Sequence, residues 1–366
     1  MKYFLKEDLS SETEASKKNA LGKARADVNQ IFEKAGIYPC MLHVDAAARK
    51  KANPISKVFW HFRALREIRK SFVPLHRGDA VYIQYPIIHH SIFIGACFRN
   101  LIHRHVQIVF LIHDLDTLRL VQTSRSPLEK LRITLEETQT LRMCTQIIAH
   151  NDVMKTRLAE MGVNPGKIIS LGLFDYLLPE GTEFDQSRFQ KSGGIVIAGN
   201  LDKEKSAYLA DLPADVPWNL YGVGYKDNGR SNVVYKGAFS PEELVSHLEG
   251  SFGLVWDGIS AETCAGAFGE YLRINNPHKL SLYLASGMPV IIWKEAALAP
   301  FVVENQVGIA VSSLYEIRDV VDRLSDSEYQ TMKENAKQIG LRLRKGQYLL
   351  TALSMVEEKL AACSAQ

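Results

Sequence analysis

Residues 252–293, FGLVWDGISAETCAGAFGEYLRINNPHKLSLYLASGMPVIIW, constrain the fold more than any other stretch of the chain. Residues 252–256 are an apolar run of strand length. A polar loop dotted with Gly258, Gly266 and Gly269 follows. A helical pattern through Leu280, Leu282, Tyr283 and Leu284 then runs from Asn276-Pro277-His278-Lys279 to a stop at Gly287. Pro289 opens a second apolar strand over residues 290–293. Pro suits the first turn of a helix and Asn can cap it. Helix N-termini bind phosphate through free N–H groups and the helix dipole. Lys279, with Asn276 and His278 at the same helix entry, is therefore expected to meet a phosphorylated ligand.

The same alternation runs through the rest of the chain. In the first half, strand signals stand at 1–5, 81–85, 106–112, 146–150 and 167–171, with helical segments at 13–33 and 152–161. Residues 179–194, PEGTEFDQSRFQKSGG, are polar and without apolar period, and read as a linker. Strands then resume at 195–198, 218–222, 233–236, 252–256, 290–293 and 308–311. Strands alternating with helices predict parallel sheets covered on both faces. The expected organisation is one α/β domain over 1–178, the linker, and a second over 195–346. A final helix at 347–362 should pack back on the first domain. Two such domains place a ligand in the cleft between them.

With 366 residues, 46% of them hydrophobic, the chain can build two real cores. A net charge of only +3 gives no reason to expect nucleic acid as a partner. Cys40, Cys97, Cys144, Cys264 and Cys363 have no metal-type spacing and read as core residues. No signal-peptide core opens the chain, and no apolar run approaches the ~18 residues that span a bilayer. A cytoplasmic protein is expected. The basic, aromatic stretch 57–70, KVFWHFRALREIRK, reads as a packed helix, with room for attachment at the inner face of a membrane.

Two further stretches carry chemistry. IVIAGNLDKEK, 195–205, is a strand followed by Gly199-Asn200. Glycine lets the backbone approach a ligand, Asn200 can hydrogen-bond it, and Lys203 and Lys205 can reach a diphosphate. VFLIHDLDTLR, 109–119, ends the strongest strand of the first domain in His113-Asp114, where catalytic groups of α/β folds sit. An imidazole or carboxylate there can take a proton from a hydroxyl. Asp114-Leu115-Asp116 has the form of a metal-holding pair, but three letters do not make a metal site, and none is expected. The adjacent His89-His90, with His103 and His105, lack a regularly spaced carboxylate or cysteine and also read as no metal site. Loops of the G-x-x-x-x-G-K-[ST], G-x-S-x-G and G-x-G-x-x-G types are absent, which disfavours kinase, hydrolase and NAD-dehydrogenase readings.

Taken together, FGLVWDG, ETCAGAFGEYL, NNPHKLSLYLASGMPVIIW, IHDLDTLR and AGNLDKEK resemble the bacterial β-1,6-galactofuranosyltransferases of O-antigen and exopolysaccharide assembly. A more distant likeness is to the glucosyltransferase that extends GlcNAc on serine-rich streptococcal adhesins. The resemblance implies an α/β GT-B fold: two Rossmann-like domains facing a cleft, with a UDP-sugar held mainly by the second. It implies that Lys279 contacts the diphosphate, and that Lys203 stands where relatives have an arginine. Tyr221 takes the place of an aromatic turn near the uracil, and Thr13 and Ser16 lie in the segment facing the donor. His113 and Asp114 match the family's His-Asp pair. The expected activity is inverting, metal-independent transfer of galactofuranose from UDP-galactofuranose to a glycan or glycoconjugate acceptor, with Asp114 or His113 as base. UDP-glucose as donor, a UDP-sugar 2-epimerase and a non-catalytic UDP-sugar-binding subunit are the rivals. The sequence also leaves room for a homo-oligomer.

Overall fold

The computed structural model describes residues 1–8, 20–43, 54–88, 94–119, 127–179, 181–182, 185–227 and 229–364. Its first sheet holds β1 (Lys2–Glu7), β2 (Tyr38–Leu42), β3 (Ala80–Tyr85), β4 (Gln107–Ile112), β5 (Gln146–Ala149) and β6 (Ile168–Ser170). They lie in the order β2-β1-β3-β4-β5-β6, all parallel. The helices of this half are α1 (Ala20–Lys34), α2 (Pro54–Ser71), α3 (Ile94–His103), α4 (Asp116–Arg119), α5 (Pro127–Met143) and α6 (Asp152–Glu160). The period-2 side-chain rule sorts the strands onto two cores. Val81, Ile83, Phe110 and Ile112 meet Leu65, Ile68 and Phe98 of α2 and α3 on one face. Tyr82, Val109 and Leu111 meet Val28, Ile31 and Phe32 of α1 on the other. Strand β2 escapes the sequence reading because Pro39 sits inside it. It is an edge strand, and an edge tolerates a residue that cannot donate to the ladder.

The second sheet holds β7 (Ile195–Asn200), β8 (Trp218–Val223), β9 (Val233–Gly237), β10 (Gly253–Val255), β11 (Val290–Trp293) and β12 (Gly308–Val311). Their order is β12-β11-β10-β7-β8-β9, again parallel. Helices α7 (Lys203–Ser206), α8 (Pro241–His247), α9 (Gly266–Tyr271), α10 (His278–Ser286), α11 (Ala299–Glu304), α12 (Ile317–Arg323) and α13 (Asp326–Arg344) belong to it, and α14 (Gln347–Ser364) closes the chain. Helix α10 is locked to the sheet by Tyr283. Its hydroxyl accepts from Ala198 N at 2.8 Å and donates to Val196 O at 3.3 Å. The ring needs Gly253 beneath it, since a Cβ there would lie 2.2 Å from the ring. Gly287 ends the helix in the left-handed region at φ 79°.

Residues 171–178 join the halves and are mostly buried. Lys23 donates to Leu177 O at 2.6 Å and to Asp27 Oδ1 at 2.5 Å, while Leu177 N donates to Asp27 Oδ2 at 3.0 Å. Asp175 accepts from Tyr348 N and Leu349 N and so caps α14. That helix buries Leu349, Leu353 and Val356 against Phe4, Val28 and Ile31 of the first half. Among the described residues, no helix is long and apolar enough to cross a membrane.

Candidate active site

Ligands of open parallel sheets bind where neighbouring strands send their connections in opposite directions. In the second sheet that point lies between β7 and β10, and in the first between β1 and β3. The carboxyl ends of these four strands therefore outline the site.

At the β7–β10 point the chain is drawn together. Gly258 N donates to Lys205 O at 3.1 Å, so the loops after β7 and β10 touch. Lys279, in the first turn of α10, points its ammonium here. It donates to Trp256 O and to Asp257 Oδ1, each at 2.8 Å. Burial pulls its pKa down and the Asp257 carboxylate pushes it back up. Two of its three N–H groups are thus committed, leaving one for a ligand. Pro277 precedes the helix and makes no side-chain cap. The first-turn amides of α10 thus keep their partial positive charge for an anion. Gly199 adopts φ 131° with open space where a Cβ would stand, so the end of β7 is bare backbone. Lys203 is exposed and Lys205 half-buried, its ammonium 5.8 Å from the Phe268 ring.

Across the cleft, at the β1–β3 point, Arg25 is buried. It donates to Pro86 O at 2.6 Å, Glu7 Oε1 at 3.3 Å and Gln84 O at 3.4 Å. Gln84 donates to Arg25 O and Asn29 Oδ1, which turns its carbonyl oxygen to His113 Nε2 at 2.7 Å. Nε2 therefore carries the proton. The His113 ring stacks on Phe174, centroids 5.3 Å apart at 15°. His150 meets the same phenyl ring edge-on at 4.9 Å, and His278 lies 5.2 Å from Tyr176. Burial holds all three imidazoles neutral. It pulls His113 well below its ordinary range, His150 to about 4 and His278 to about 3.

The two halves are tied across this floor. Asn276 N donates to His150 Nδ1 at 2.9 Å. Its side-chain amide donates to His150 O at 2.7 Å and Gly172 O at 2.9 Å, and accepts from Asn151 at 2.7 Å. Leu115 N donates to the Tyr271 hydroxyl at 3.2 Å.

The N- and C-terminal domain models of the Glucosyltransferase 3-like family match residues 8–173 and 195–356. Beta-1,6-galactofuranosyltransferase WbbI of Escherichia coli K12 is 37% identical over 290 residues, 78% of this chain and 81% of WbbI. The chain belongs to the Glucosyltransferase 3-like family. Glucosyltransferase 3 of Streptococcus gordonii is 29% identical over 203 residues, 55% of this chain and 58% of that one. Among solved structures, sucrose-phosphate synthase of Thermosynechococcus elongatus superposes with a TM-score of 0.60 at 16% identity, covering 100% of both chains. Anabaena HepE, solved in complex with UDP, gives 0.57 at 13% identity, covering 99% of this chain and 100% of that one. The fold is GT-B, and this member of the family is a glycosyltransferase.

In this glycosyltransferase the residues singled out from sequence are distributed unevenly. Lys279, Lys203 and Gly199 stand together at the β7–β10 point. Asn200 is beside them, but its Oδ1 accepts from Asp202 N at 2.9 Å, so only the amide nitrogen is left over from that turn. Asn276 neither caps α10 nor faces the cleft. It is buried, its side chain taken up by the first domain's backbone and Asn151. His278 is half-buried, its ring 5.2 Å from Tyr176. Tyr221 is corrected most sharply. Its ring lies in the core and its hydroxyl donates to His247 O while accepting from Glu249 N, so it offers no face to a base. Thr13, Ser16, His89 and His90 lie outside the described residues.

Asp114 is half-buried, beside the loop that Tyr271 holds. Asp116 begins α4, where Glu137 accepts from Asp116 N and Thr117 N at 3.1 and 2.9 Å. Among the described residues no three His, Cys, Asp or Glu side chains converge as metal ligands would. Sequence reasoning passed over Glu7 and Gln84, whose only signal was their place near strand ends, and Arg25, inside α1. Glu262, Glu270 and His43 stood in the sequence as the alternatives to His113 and Asp114 for the base, and the structure adds Asp8, whose Oδ2 lies 2.9 Å from His43 Nδ1 at the ends of β1 and β2.

Proposed function

We propose that this enzyme transfers a hexosyl group from a UDP-sugar, with UDP-galactofuranose as the donor, to a hydroxyl of a glycan acceptor, inverting the anomeric centre without a metal. One observation carries the placement of the donor. The uncapped, lysine-bearing N-terminus of α10 stands at the point of the second sheet where ligands of such sheets bind. The kinship with WbbI supports galactofuranose over glucose.

The acceptor oxygen attacks the anomeric carbon as the bond from that carbon to the diphosphate oxygen breaks. UDP leaves with the electron pair, stabilised by Lys279, Lys203 and the α10 dipole. The acceptor proton passes to a base on the first sheet's carboxyl edge. His113 does not suit that step, because its ring is buried and its Nε2 donates to Gln84. Asp114 is the member of the pair left for the role. The Asp8–His43 pair supports a second assignment, since a carboxylate on Nδ1 orients the exposed imidazole with Nε2 outward.

The test is a donor screen with UDP-galactofuranose and UDP-glucose against simple glycoside acceptors, read as acceptor mass, with and without EDTA. Transfer from UDP-galactofuranose that survives EDTA is expected. A requirement for added Mn²⁺ or Mg²⁺ would refute the metal-free reading. UDP-glucose as the better donor would refute the donor assignment. Altered donor without acceptor gain would indicate an epimerase, and UDP binding without any turnover a non-catalytic subunit.

A further inference from the structure

We propose, on the reading of Asp114 as the base, that Tyr271 is a positioning residue for the transfer. From the half of the molecule that carries the proposed donor point, its hydroxyl sets where Asp114 stands on the other half. Tyr271 closes helix α9, in the connection that runs from β10 to α10. Its ring is buried, and its hydroxyl accepts from Leu115 N at 3.2 Å. Leu115 follows Asp114 in the chain and is fully buried in a core of the first half. The hydrogen bond therefore crosses between the halves one residue from the proposed base.

Helix α9 touches both places that the reaction needs. On one side it lies against the loop after β10. A Cβ on Gly269 would stand 2.4 Å from the Cys264 carbonyl carbon and 3.0 Å from Asp257 O, so this close approach requires glycine. Asp257 is the carboxylate that holds Lys279 at 2.8 Å. Leu272 O, next to Tyr271, accepts from Ala297 N at 2.8 Å, which ties the end of the helix to the second half. On the other side α9 bears on α4. Ile274 packs against the same core as Leu115, and its carbonyl accepts from Asn151 at 2.9 Å.

The loop that carries Asp114 is held from its own half at both ends. His113 N donates to Tyr85 O at 2.7 Å and the His113 ring to Gln84, while Asp116 N and Thr117 N donate to Glu137. Tyr271 adds a hold between them, and it comes from the opposite half. Transfer needs the reacting atoms about 3–3.5 Å apart and in line, and a misplacement of about 1 Å can cost a hundredfold in rate. With the donor on one half and the base on the other, that spacing is set by contacts between the halves, and the Tyr271–Leu115 bond lies beside the base. Phenylalanine would keep the ring and take this acceptor from Leu115 N, loosening the loop at the residue next to Asp114.

The experiment is a double-mutant cycle on the full chain: wild type, Tyr271→Phe, Asp114→Asn and the two combined. Steady-state kinetics use the better of UDP-galactofuranose and UDP-glucose as donor and an octyl glycoside as acceptor, with UDP calorimetry on the same proteins. Tyr271→Phe should keep UDP affinity and donor KM, because the hydroxyl faces the first half, and lose about ten- to a hundredfold in kcat. Added to Asp114→Asn it should cost no further kcat, because a residue that acts by placing the carboxylate then has nothing left to place. Wild-type kcat in Tyr271→Phe, with Asp114→Asn impaired, would overturn the proposal and leave Asp114 standing as the base. A full additional loss in the double variant would overturn it too, since Tyr271 would then act apart from Asp114. So would weakened UDP binding or a raised donor KM in Tyr271→Phe, the result of a merely structural role. Near-normal turnover by Asp114→Asn would instead sink the assignment of the base, and the role of Tyr271 with it.

Discussion

Replacing Lys279 separates the part its ammonium plays in the fold from the one proposed for it at the donor. In Lys279→Met, Trp256 O loses a donor and Asp257 loses its ion-pair partner. The two side chains are 13% and 10% exposed, so the remaining carboxylate is left charged in a largely dry place. Breaking a buried pair by removing one partner costs about 3–5 kcal/mol. At about 2–4 °C per kcal/mol for a domain of this size, melting should fall by about 6–20 °C. The lost contact to the diphosphate should separately weaken UDP binding by about ten- to a hundredfold, the worth of a charged hydrogen bond. The double variant Asp257→Asn, Lys279→Met removes the stranded charge. It should recover most of the melting temperature and none of the affinity. Calorimetry with UDP and thermal melts on the same three proteins test this. If the double variant regains wild-type UDP affinity, Lys279 only holds the 256–258 loop. If Lys279→Met binds UDP normally, the donor site is misplaced.

Asp114→Asn should keep UDP affinity and lose about 10²–10⁴-fold in kcat, as loss of a general base does. Near-normal turnover, with loss in His43→Ala instead, would move the role to the Asp8–His43 pair. Asn276→Ala removes three side-chain hydrogen bonds between the halves. It should lower melting by several degrees and separate the two domains' transitions in calorimetry, and a single unshifted transition would contradict this. Burial raises Asp175 to about 7. The folded state therefore holds that proton more tightly than the unfolded chain does, and stability is lost as pH rises from about 4 through 7. The neutral histidines run the other way: His150, at about 4, and His278, at about 3, lose stability as pH falls below about 6.5. Asp175→Asn, which keeps an acceptor for the α14 amides, should raise the melting temperature at pH 8 more than at pH 5. An equal shift at both would refute the assignment.

What was legible from sequence was what depends on near neighbours. The continuous apolar runs of β4 and β11, the helix stop at Gly287 and the strand–helix alternation are local patterns, and they survive in the structure. They suffice for two parallel sheets, and a parallel sheet brings its ligand to its carboxyl edge, so the region around Lys279 could be singled out as a candidate. Strand β2 was missed because Pro39 opposes it locally and only its edge position allows it.

The partners were decided by the tertiary structure. Asp257 meets Lys279 from 22 residues away, and Asn276 meets His150 from 126. Tyr221 and Gly199 stand near the ends of neighbouring strands, yet one is core and the other bare backbone. Local propensity determines which residues form strands and helices, because that preference is set within a few residues. Which side chain is buried, paired or left facing the cleft is set when distant segments pack, since an ammonium or an amide has no fixed role until its surroundings decide whether water, a carboxylate or a ligand satisfies it.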